Sequence, residues 1–415
     1  MISRTALWTG LAGAALMIST AVATAETKIN AIFMSQAAYS EENVRAMTAD
    51  FEAANPDIKV NLEFVPYEAL HDKIVAAQGA GSNGYDVVLY DVIWPAEFAT
   101  KGFLIDVTDK VPADLNAQIF DGAWTTVTYD GKKYGMPWIL DTKYLFYNTE
   151  MLQKAGIATP PKTWDELVAD AKIIKDKGIV EFPIVWSWSQ SEAMICDYAL
   201  LTSAFGGSFL TDGKPSFQAG GSLQAVQFMK KTLDDGLTNK SSLEYLEEDV
   251  RRVFSNGEAA FALNWTYMNA LANDPKESKV SGKVGIVPAP GVAGTSIASA
   301  VNGSMGLGIT SNSTHPDEAW KFIMFLTSKP IQEKYAKLSL PIWKASYTEA
   351  AVTTGQENVV AAANQSLGVM FPRPLVPAYT EISSILQKYI HSALLGEEDP
   401  AKALGEAADK VARIR

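Results

Sequence analysis

Two carboxylates stand at positions in the sequence where they could act on a ligand. Asp91 directly follows the apolar run of residues 87–90, and Asp141 separates two segments with an extended pattern. A pair of carboxylates can hydrolyse a glycosidic bond, or it can accept hydrogen bonds from ligand hydroxyl groups. The two carboxylates alone do not distinguish these uses, so binding and catalysis both stay open at this point.

The common catalytic patterns are missing from the chain. It contains no Gly-x-Ser-x-Gly, no Gly-x-x-x-x-Gly-Lys-Ser/Thr and no His-Glu-x-x-His segment. The spacing of His71, His315 and His391 fits neither a metal cluster nor an obvious general base. Cys196 is the single cysteine, which excludes an internal disulfide, and its apolar surroundings are typical of a buried residue. We therefore expect no catalytic residue, no metal and no cofactor, and favour binding over catalysis.

Several tryptophans lie where an α/β protein collects its ligand, at or just beyond the ends of predicted strands. These are Trp94, Trp138, Trp186, Trp188 and Trp265. Aromatic rings pack well against the C–H faces of sugars, so the group favours a carbohydrate cleft, although any single member could be a core residue. Trp186 and Trp188 are two residues apart on an extended segment and point to the same side, so both lie in the cleft or both in the core.

The chain after residue 25 opens with alternating strands and helices. Apolar residues from Ile29 to Phe33 recur with the period of two that is typical of a strand. Ser40 can cap a helix, and residues 67–78 also have a helical pattern. The apolar run 87–90 predicts a strand covered on both faces. This order predicts an α/β fold with an open sheet flanked by helices.

A second α/β unit follows. The extended segment 144–148 leads towards a helix at which Thr163 and Glu166 have the spacing of a capping box. The glycine-punctuated segment 303–309 predicts a strand, and Pro316 suits the first turn of a helix. These later segments suggest that the chain returns to the first unit. We predict two lobes joined by several crossings: residues 26–139 plus 303–340, and residues 140–302 plus 341–415.

The first 25 residues predict an export signal. Arg4 precedes an apolar run, and Ala-Thr-Ala at 23–25 has the small-x-small pattern that signal peptidase cleaves. Cleavage after Ala25 predicts a periplasmic location, and the new N-terminus has no cysteine that could carry a lipid. Removing Arg4 changes the net charge from −12 to −13 (−12 − 1 = −13). Such an acidic chain is not expected to bind nucleic acid or an anionic membrane.

Four segments carry a resemblance to a known family. Residues 85–104 begin with Tyr-Asp-Val-Val, 134–167 with Tyr-Gly-Met-Pro, 254–261 with Phe-Ser-Asn-Gly and 303–322 with Gly-Ser. In this order and spacing they resemble the extracellular solute-binding proteins of ABC importers, in the carbohydrate-binding family that includes maltose-binding protein. The resemblance covers essentially the whole mature chain. It implies a two-lobed periplasmic-binding-protein fold with the ligand cleft at the hinge.

The resemblance also implies which residues contact the ligand. Asp141 matches a position that accepts hydrogen bonds from sugar hydroxyls, Asp91 lies in a sugar-contacting loop, and Trp265 matches a loop that often supplies a stacking aromatic. Hinge crossings are expected near residues 140–141, 302–303 and 338–341. The full set of expected ligand-binding residues is Gln36, Tyr39, Asp91, Asp141, Trp186, Trp188, Trp265, Ser304 and Arg373.

The function implied by the resemblance is capture of a sugar by lobe closure and its delivery to a membrane permease pair driven by a cytoplasmic ATPase. The ligand could be a mono- or oligosaccharide, a polyol or a glycoside, and Arg373 leaves room for an anionic group. A monomer is usual in this family. Two alternatives stay open. One is a binding protein for a non-sugar solute such as a polyamine, whose site needs several carboxylates and no central arginine. The other is a secreted glycosidase.

Overall fold

The computed structural model of the protein describes residues 26–79 and 84–414. The predicted export signal and its cleavage site after Ala25 lie outside the described residues. None of the helices in these two ranges combines the length and the apolar character needed to cross a bilayer.

The strands and helices follow one another along the chain as in an α/β protein. The strands are β1 (Thr27–Met34), β2 (Gln36–Ala37), β3 (Tyr39–Ser40), β4 (Ile58–Val65), β5 (Val87–Asp91), β6 (Thr128–Tyr129), β7 (Lys132–Lys133), β8 (Met136–Ile139), β9 (Lys143–Asn148), β10 (Ile184–Val185), β11 (Leu210–Thr211), β12 (Lys214–Pro215), β13 (Phe261–Trp265), β14 (Val284–Val292), β15 (Ser296–Ser299) and β16 (Met305–Ile309). The helices are α1 (Glu41–Ala54), α2 (Tyr67–Gly79), α3 (Pro95–Thr100), α4 (Leu115–Gln118), α5 (Asp121–Trp124), α6 (Thr149–Ala155), α7 (Trp164–Asp176), α8 (Glu192–Ala204), α9 (Gly220–Asp234), α10 (Glu247–Ser255), α11 (Tyr267–Asn273), α12 (Pro316–Leu326), α13 (Lys329–Lys334), α14 (Ala350–Thr353), α15 (Glu357–Ser366), α16 (Tyr379–Leu395) and α17 (Pro400–Val411).

The first lobe is built on a sheet with the strand order β4-β1-β5-β16-β8. Strands β4 and β5 run parallel to β1, whereas β16 is antiparallel to both β5 and β8. All residues of β5 are buried, as its continuous apolar run predicts for a strand covered on both faces. Strand β16 comes late in the chain and lies between β5 and β8 in this sheet.

The second lobe is built on a sheet with the order β10-β13-β9-β14-β15. Strand β9 lies at its centre and pairs antiparallel with β13 and β14. Helices α8, α9, α16 and α17 pack against one another beside this sheet. The last two helices, for which the sequence shows no partner, therefore complete the second lobe.

Each sheet has its own apolar core. One core takes most of its residues from 29–140 and 305–343. Two further clusters cover the faces of the second sheet and include residues from α15, α16 and α17. Ile342 and Trp343 pack in the first core, although the predicted boundary assigns them to the second lobe. The fold is thus two-lobed, and the exact domain boundaries stay a prediction.

Local sequence signals explain where the helices begin. Ser40 accepts a hydrogen bond from the Asn43 N–H at the start of α1, and Thr163 and Glu166 form the predicted reciprocal capping box of α7. Pro316 is the first residue of α12, where its missing N–H costs no helical hydrogen bond.

Two of the crossings between the lobes are hydrogen-bonded to each other. The first crossing joins β8 to β9 and contains Asp141, and the second joins β15 to β16 and contains Gly303. The Gly303 N–H donates to the Asp141 carbonyl oxygen at 3.1 Å, and the Val301 N–H donates to the Thr142 hydroxyl at 2.9 Å. The two crossings therefore form one connected hinge beneath the space between the lobes.

Candidate ligand-binding site

A cavity lies between the two lobes, where the ends of several strands meet. Its volume is about 260 Å³. Small-molecule pockets span roughly 300–1,000 Å³, so this cavity suits a small ligand. The first lobe contributes residues that follow β1 and β5, and the second lobe contributes the starts of α8, α10 and α11. Of the predicted ligand contacts, the structure places these on the cavity wall: Gln36, Asp91, Asp141, Trp265 and Arg373.

Asp141 is held by hydrogen bonds from the chain itself. Its carboxylate accepts from the Thr142 N–H at 2.9 Å, from the Thr266 N–H at 3.1 Å and from the Thr266 hydroxyl. Burial raises the pKa of Asp141 to about 7, because desolvation outweighs the lowering by these hydrogen bonds. A carboxylate offers about four acceptor positions, so one remains for a ligand hydroxyl. Asp141 therefore joins the hinge to the loop after β13 and also faces the cavity.

Arg373 connects the two lobes through an ion network. One guanidinium nitrogen lies 2.9 Å from Asp91 of the first lobe, and another lies 2.7 Å from Glu192 of the second lobe. The nitrogen facing Asp91 also donates to the Asn302 carbonyl oxygen at 3.2 Å. The Arg373 Nε–H is buried and has no hydrogen-bond partner among the described residues. Because two carboxylates already balance its charge, Arg373 is poorly placed to neutralise an anionic group on a ligand. The buried Nε–H is closed off from the cavity, so Arg373 supports the wall through its two ion pairs.

Trp265 presents a partly buried ring to the cavity. Its indole N–H donates to Glu247 Oε1 at 3.2 Å. On another side the ring lies so close to Gly303 that a Cβ atom there would come within 2.2 Å of two ring carbons. Only glycine at position 303 therefore leaves room for the ring in this orientation. Such a fixed aromatic face suits the apolar face of a sugar ring.

Gln36 follows the first strand, as predicted, and lies on the cavity wall. Its side-chain amide donates to the Ala38 carbonyl oxygen at 3.2 Å. This contact orients the Gln36 amide at the edge of the cavity.

Trp186 and Trp188 do not reach the cavity, which corrects their predicted role as ligand contacts. Both are fully buried, and their rings stack at a centroid distance of 4.9 Å in the core of the second lobe. Trp186 also packs on Trp164 and donates its indole N–H to the Thr238 hydroxyl at 3.1 Å. The two rings do lie together, as their spacing predicts. They lie inside the lobe because the burial of large aromatic side chains between α7 and the sheet stabilises the core.

Tyr39 and Ser304 also lie away from the cavity wall, and these two assignments are corrected as well. Tyr39 is fully buried, and its ring packs on Trp138 at 5.0 Å in the first core. Ser304 is buried in the second crossing, where its hydroxyl oxygen accepts from the Asp141 N–H at 3.4 Å. Ser304 therefore supports the hinge rather than the cavity.

The sequence analysis did not predict several of the cavity residues, and each of these is the first residue of a helix. Tyr67, Glu192, Glu247 and Tyr267 are the first residues of α2, α8, α10 and α11 respectively, and all line the cavity. The helices start where the chain leaves a strand or loop at the cleft, so their first residues face the ligand space. A search for polar or aromatic residues at predicted helix starts would have found this signal.

A second cavity of about 230 Å³ adjoins the first. The two share Tyr67, Glu68 and Glu192 as wall residues. Trp94 lines the second cavity and stacks on Tyr67 at a centroid distance of 5.7 Å. The two cavities therefore lie side by side between the lobes.

The chemistry of the site is that of hydrogen bonding and aromatic contact. No three His, Cys, Asp or Glu side chains within residues 26–79 and 84–414 are grouped to hold a metal ion. Cys196 lines the cavity, but burial raises the pKa of its thiol, so it is a poor nucleophile. The wall combines carboxylates, a guanidinium and aromatic rings, which together fit a ligand rich in hydroxyl groups.

Comparison with known proteins finds relatives that match most of the chain. Residues 37–333 match the family model described as bacterial extracellular solute-binding protein. A protein of Brucella abortus (strain 2308), whose name describes a binding protein, is 30% identical over 382 residues, covering 91% of this chain and 89% of the relative. A Deinococcus radiodurans protein, whose name refers to ABC transporter binding, is 28% identical over 353 residues, covering 81% of each chain.

Solved structures share the two-lobed fold. The maltose-bound T. maritima MalE3 superposes with a TM-score of 0.87 at 32% identity, covering 93% of this chain and 99% of that chain. A solute-binding protein of an ABC transporter from Thermotoga lettingae, bound with alpha-D-tagatose, superposes with a TM-score of 0.84 at 27% identity and the same coverage. The expected periplasmic-binding-protein fold is therefore confirmed.

Proposed function

The chain belongs to the bacterial extracellular solute-binding proteins and is the solute-binding component of an ABC transporter, and we propose that its solute is a sugar or polyol. The observation that carries the proposal is the cavity wall. Trp265 supplies an aromatic face, and Asp141 supplies an acceptor beside it. A sugar ring has an apolar face and a rim of hydroxyls, so it satisfies both kinds of contact at once.

The ligands of the similar structures support the same class. T. maritima MalE3 holds maltose, and the T. lettingae protein holds alpha-D-tagatose. The adjoining second cavity gives room for a disaccharide as well as a single ring.

We infer that capture proceeds by lobe closure. The cavity is walled by both lobes, so a ligand in it contacts both and favours the closed arrangement over the open one. The closed protein then delivers the solute to a membrane permease pair powered by a cytoplasmic ATPase. A monomer in the periplasm, released by cleavage after Ala25, fits this role.

A cationic solute such as a polyamine is the second candidate, because carboxylates outnumber cations on the wall. Glu68, Asp91, Asp141, Glu192, Glu247 and Glu248 line the cavity with Arg373 as the cation among them. Arg373 pairs with both Asp91 and Glu192, however, which leaves these two carboxylates less available to an ammonium group. The balance of contacts favours a neutral ligand.

A thermal-shift panel separates these candidates. The mature chain is heated with maltose, D-tagatose, polyols, a glucuronide and putrescine. A bound ligand at a hundredfold excess over its dissociation constant raises the free energy of unfolding by about 2.7 kcal/mol. We expect a shift with a neutral carbohydrate or polyol. A shift with putrescine alone would replace the sugar by a polyamine, and turnover of a chromogenic glycoside would revive the glycosidase alternative.

A further inference from the structure

A lysine lies buried directly behind the stacking tryptophan. Lys143 begins β9 and stands opposite Trp265 in the pairing of β9 with β13. Its side chain has no solvent exposure, and it does not line the cavity. A charged side chain in such a place must be compensated by its neighbours.

Oxygen atoms of the surrounding residues compensate the charge of the Lys143 ammonium. The Lys143 ammonium lies 2.6 Å from Asp197 of α8 and 3.3 Å from Glu247 at the start of α10. It also donates to the Ser187 hydroxyl at 2.9 Å and to the Ala193 carbonyl oxygen at 3.3 Å. Burial acts to lower the pKa of Lys143, but the facing carboxylates outweigh it and raise the pKa above the usual range. The lysine is therefore a permanent cation.

The same carboxylate oxygen serves the lysine and the tryptophan. Glu247 Oε1 lies 3.3 Å from the Lys143 ammonium and accepts from the Trp265 indole N–H at 3.2 Å. The ammonium also lies 5.2 Å from the centroid of the Trp265 ring, within reach of a cation–π contact. Lysine, glutamate and indole thus form a closed triangle, of which the glutamate and the indole face the cavity.

We propose that Lys143 is a positioning residue, which fixes the Glu247 carboxylate and through it the orientation of the Trp265 ring that receives the ligand. The inference rests on the proposed function, since it assigns Trp265 a stacking role. A buried ion pair is by itself weak evidence for stability, but three of the residues that contact this cation, Ala193, Glu247 and Trp265, line the cavity. Asp197 lies on α8, whose first turn contributes Glu192, Ala193 and Cys196 to that wall.

The test replaces the buried pair while keeping the protein folded. In the variant Lys143→Met/Asp197→Leu, apolar side chains of similar size take the place of the ion pair, a change that proteins often tolerate. Circular dichroism checks the fold. If this variant does not fold, Lys143→Gln keeps a hydrogen-bond donor without the charge and is measured in the same way.

The first readout needs no ligand. The indole N–H resonance of Trp265 is assigned by its loss in Trp265→Phe, and that of Trp320, which lies on α12 in the other lobe, is the control. We expect the Trp265 resonance to shift or broaden in the lysine variant and the Trp320 resonance to stay unchanged. An unchanged Trp265 resonance in a folded variant would overturn the proposal.

The second readout is affinity for maltose and D-tagatose by calorimetry. We expect loss of Lys143 to weaken binding about tenfold when Trp265 is present, and less than about twofold in a Trp265→Ala background, because residues acting through one contact are not additive. An equal loss in both backgrounds would show a merely structural lysine. If no sugar or polyol of the thermal-shift panel binds the wild-type protein, the proposed function fails, and the indole resonance alone decides the role of Lys143.

Discussion

At the scale of single residues, Trp265 and Asp141 serve the ligand in different ways. Trp265 offers a partly buried face and is fixed by Glu247 and Gly303, so its contribution is contact area in one orientation. Asp141 offers an acceptor whose charge depends on pH, because burial raises its pKa to about 7. Each property leads to a prediction at this scale.

Removing the aromatic face should weaken binding. We expect Trp265→Ala to lower the affinity for the bound carbohydrate by about tenfold or more, since aromatic contacts contribute on the order of 0.5–1.5 kcal/mol beyond the buried area. Trp320→Ala is the control, because Trp320 lies on α12 and packs against the first core. Calorimetric titration measures both variants. Equal affinities for wild type and Trp265→Ala would remove the stacking role.

Asp141 should make stability depend on pH in a defined direction. Its folded pKa of about 7 lies above the ordinary value of 3.8, so the folded state binds this proton more tightly than the unfolded state. The stabilisation is complete below the ordinary pKa and is lost as the pH rises through the folded pKa, by up to about 1.4 kcal/mol per pH unit. The free energy of unfolding of wild type minus that of Asp141→Asn, measured with urea, should fall as the pH rises across this window, because only wild type has this carboxyl group. A difference independent of pH would contradict the raised pKa.

At the scale of elements, the sequence predicts the strands and helices better than it predicts which side chains line the cavity. Period-two runs, capping boxes and Pro316 locate strands and helices because these signals are local. Whether Trp186 faces ligand or core depends on the packing of α7 against the sheet, which no local pattern contains. The pairing of Arg373 with Asp91 and Glu192 joins distant parts of the chain, so their partnership is equally invisible in sequence. Asp91, Asp141 and Trp265 lie at or just after the ends of strands, so their place at the cleft could be predicted locally, and the resemblance added the ligand contacts expected of them.

The second crossing should tolerate no side chain at position 303. In Gly303→Ala the new Cβ would lie 2.2 Å from ring carbons of Trp265, far inside the contact distance of about 3.5 Å. We expect the ring to be displaced and carbohydrate affinity to fall about tenfold. The control is Gly405→Ala in α17, where a Cβ meets no atom within 4 Å and a helix gains about 1 kcal/mol from the exchange. Undiminished binding by Gly303→Ala would show that the ring is not held there.

At the scale of the whole molecule, the lobes meet through polar contacts around a shared cavity. Arg373 touches carboxylates of both lobes, and Asp141 joins the hinge to the loop after β13. Because these contacts lie beside the ligand space, a ligand there adds to the forces that hold the lobes together. The open arrangement lacks that contribution, so its population should fall as ligand is added.

Lobe closure can be measured by small-angle X-ray scattering of the mature chain, with and without the carbohydrate selected by the thermal-shift panel. Closure around a ligand predicts a smaller radius of gyration at saturation, and Trp265→Ala should need a higher concentration to reach the same value. Saturating carbohydrate that leaves the radius of gyration unchanged would contradict capture between the lobes.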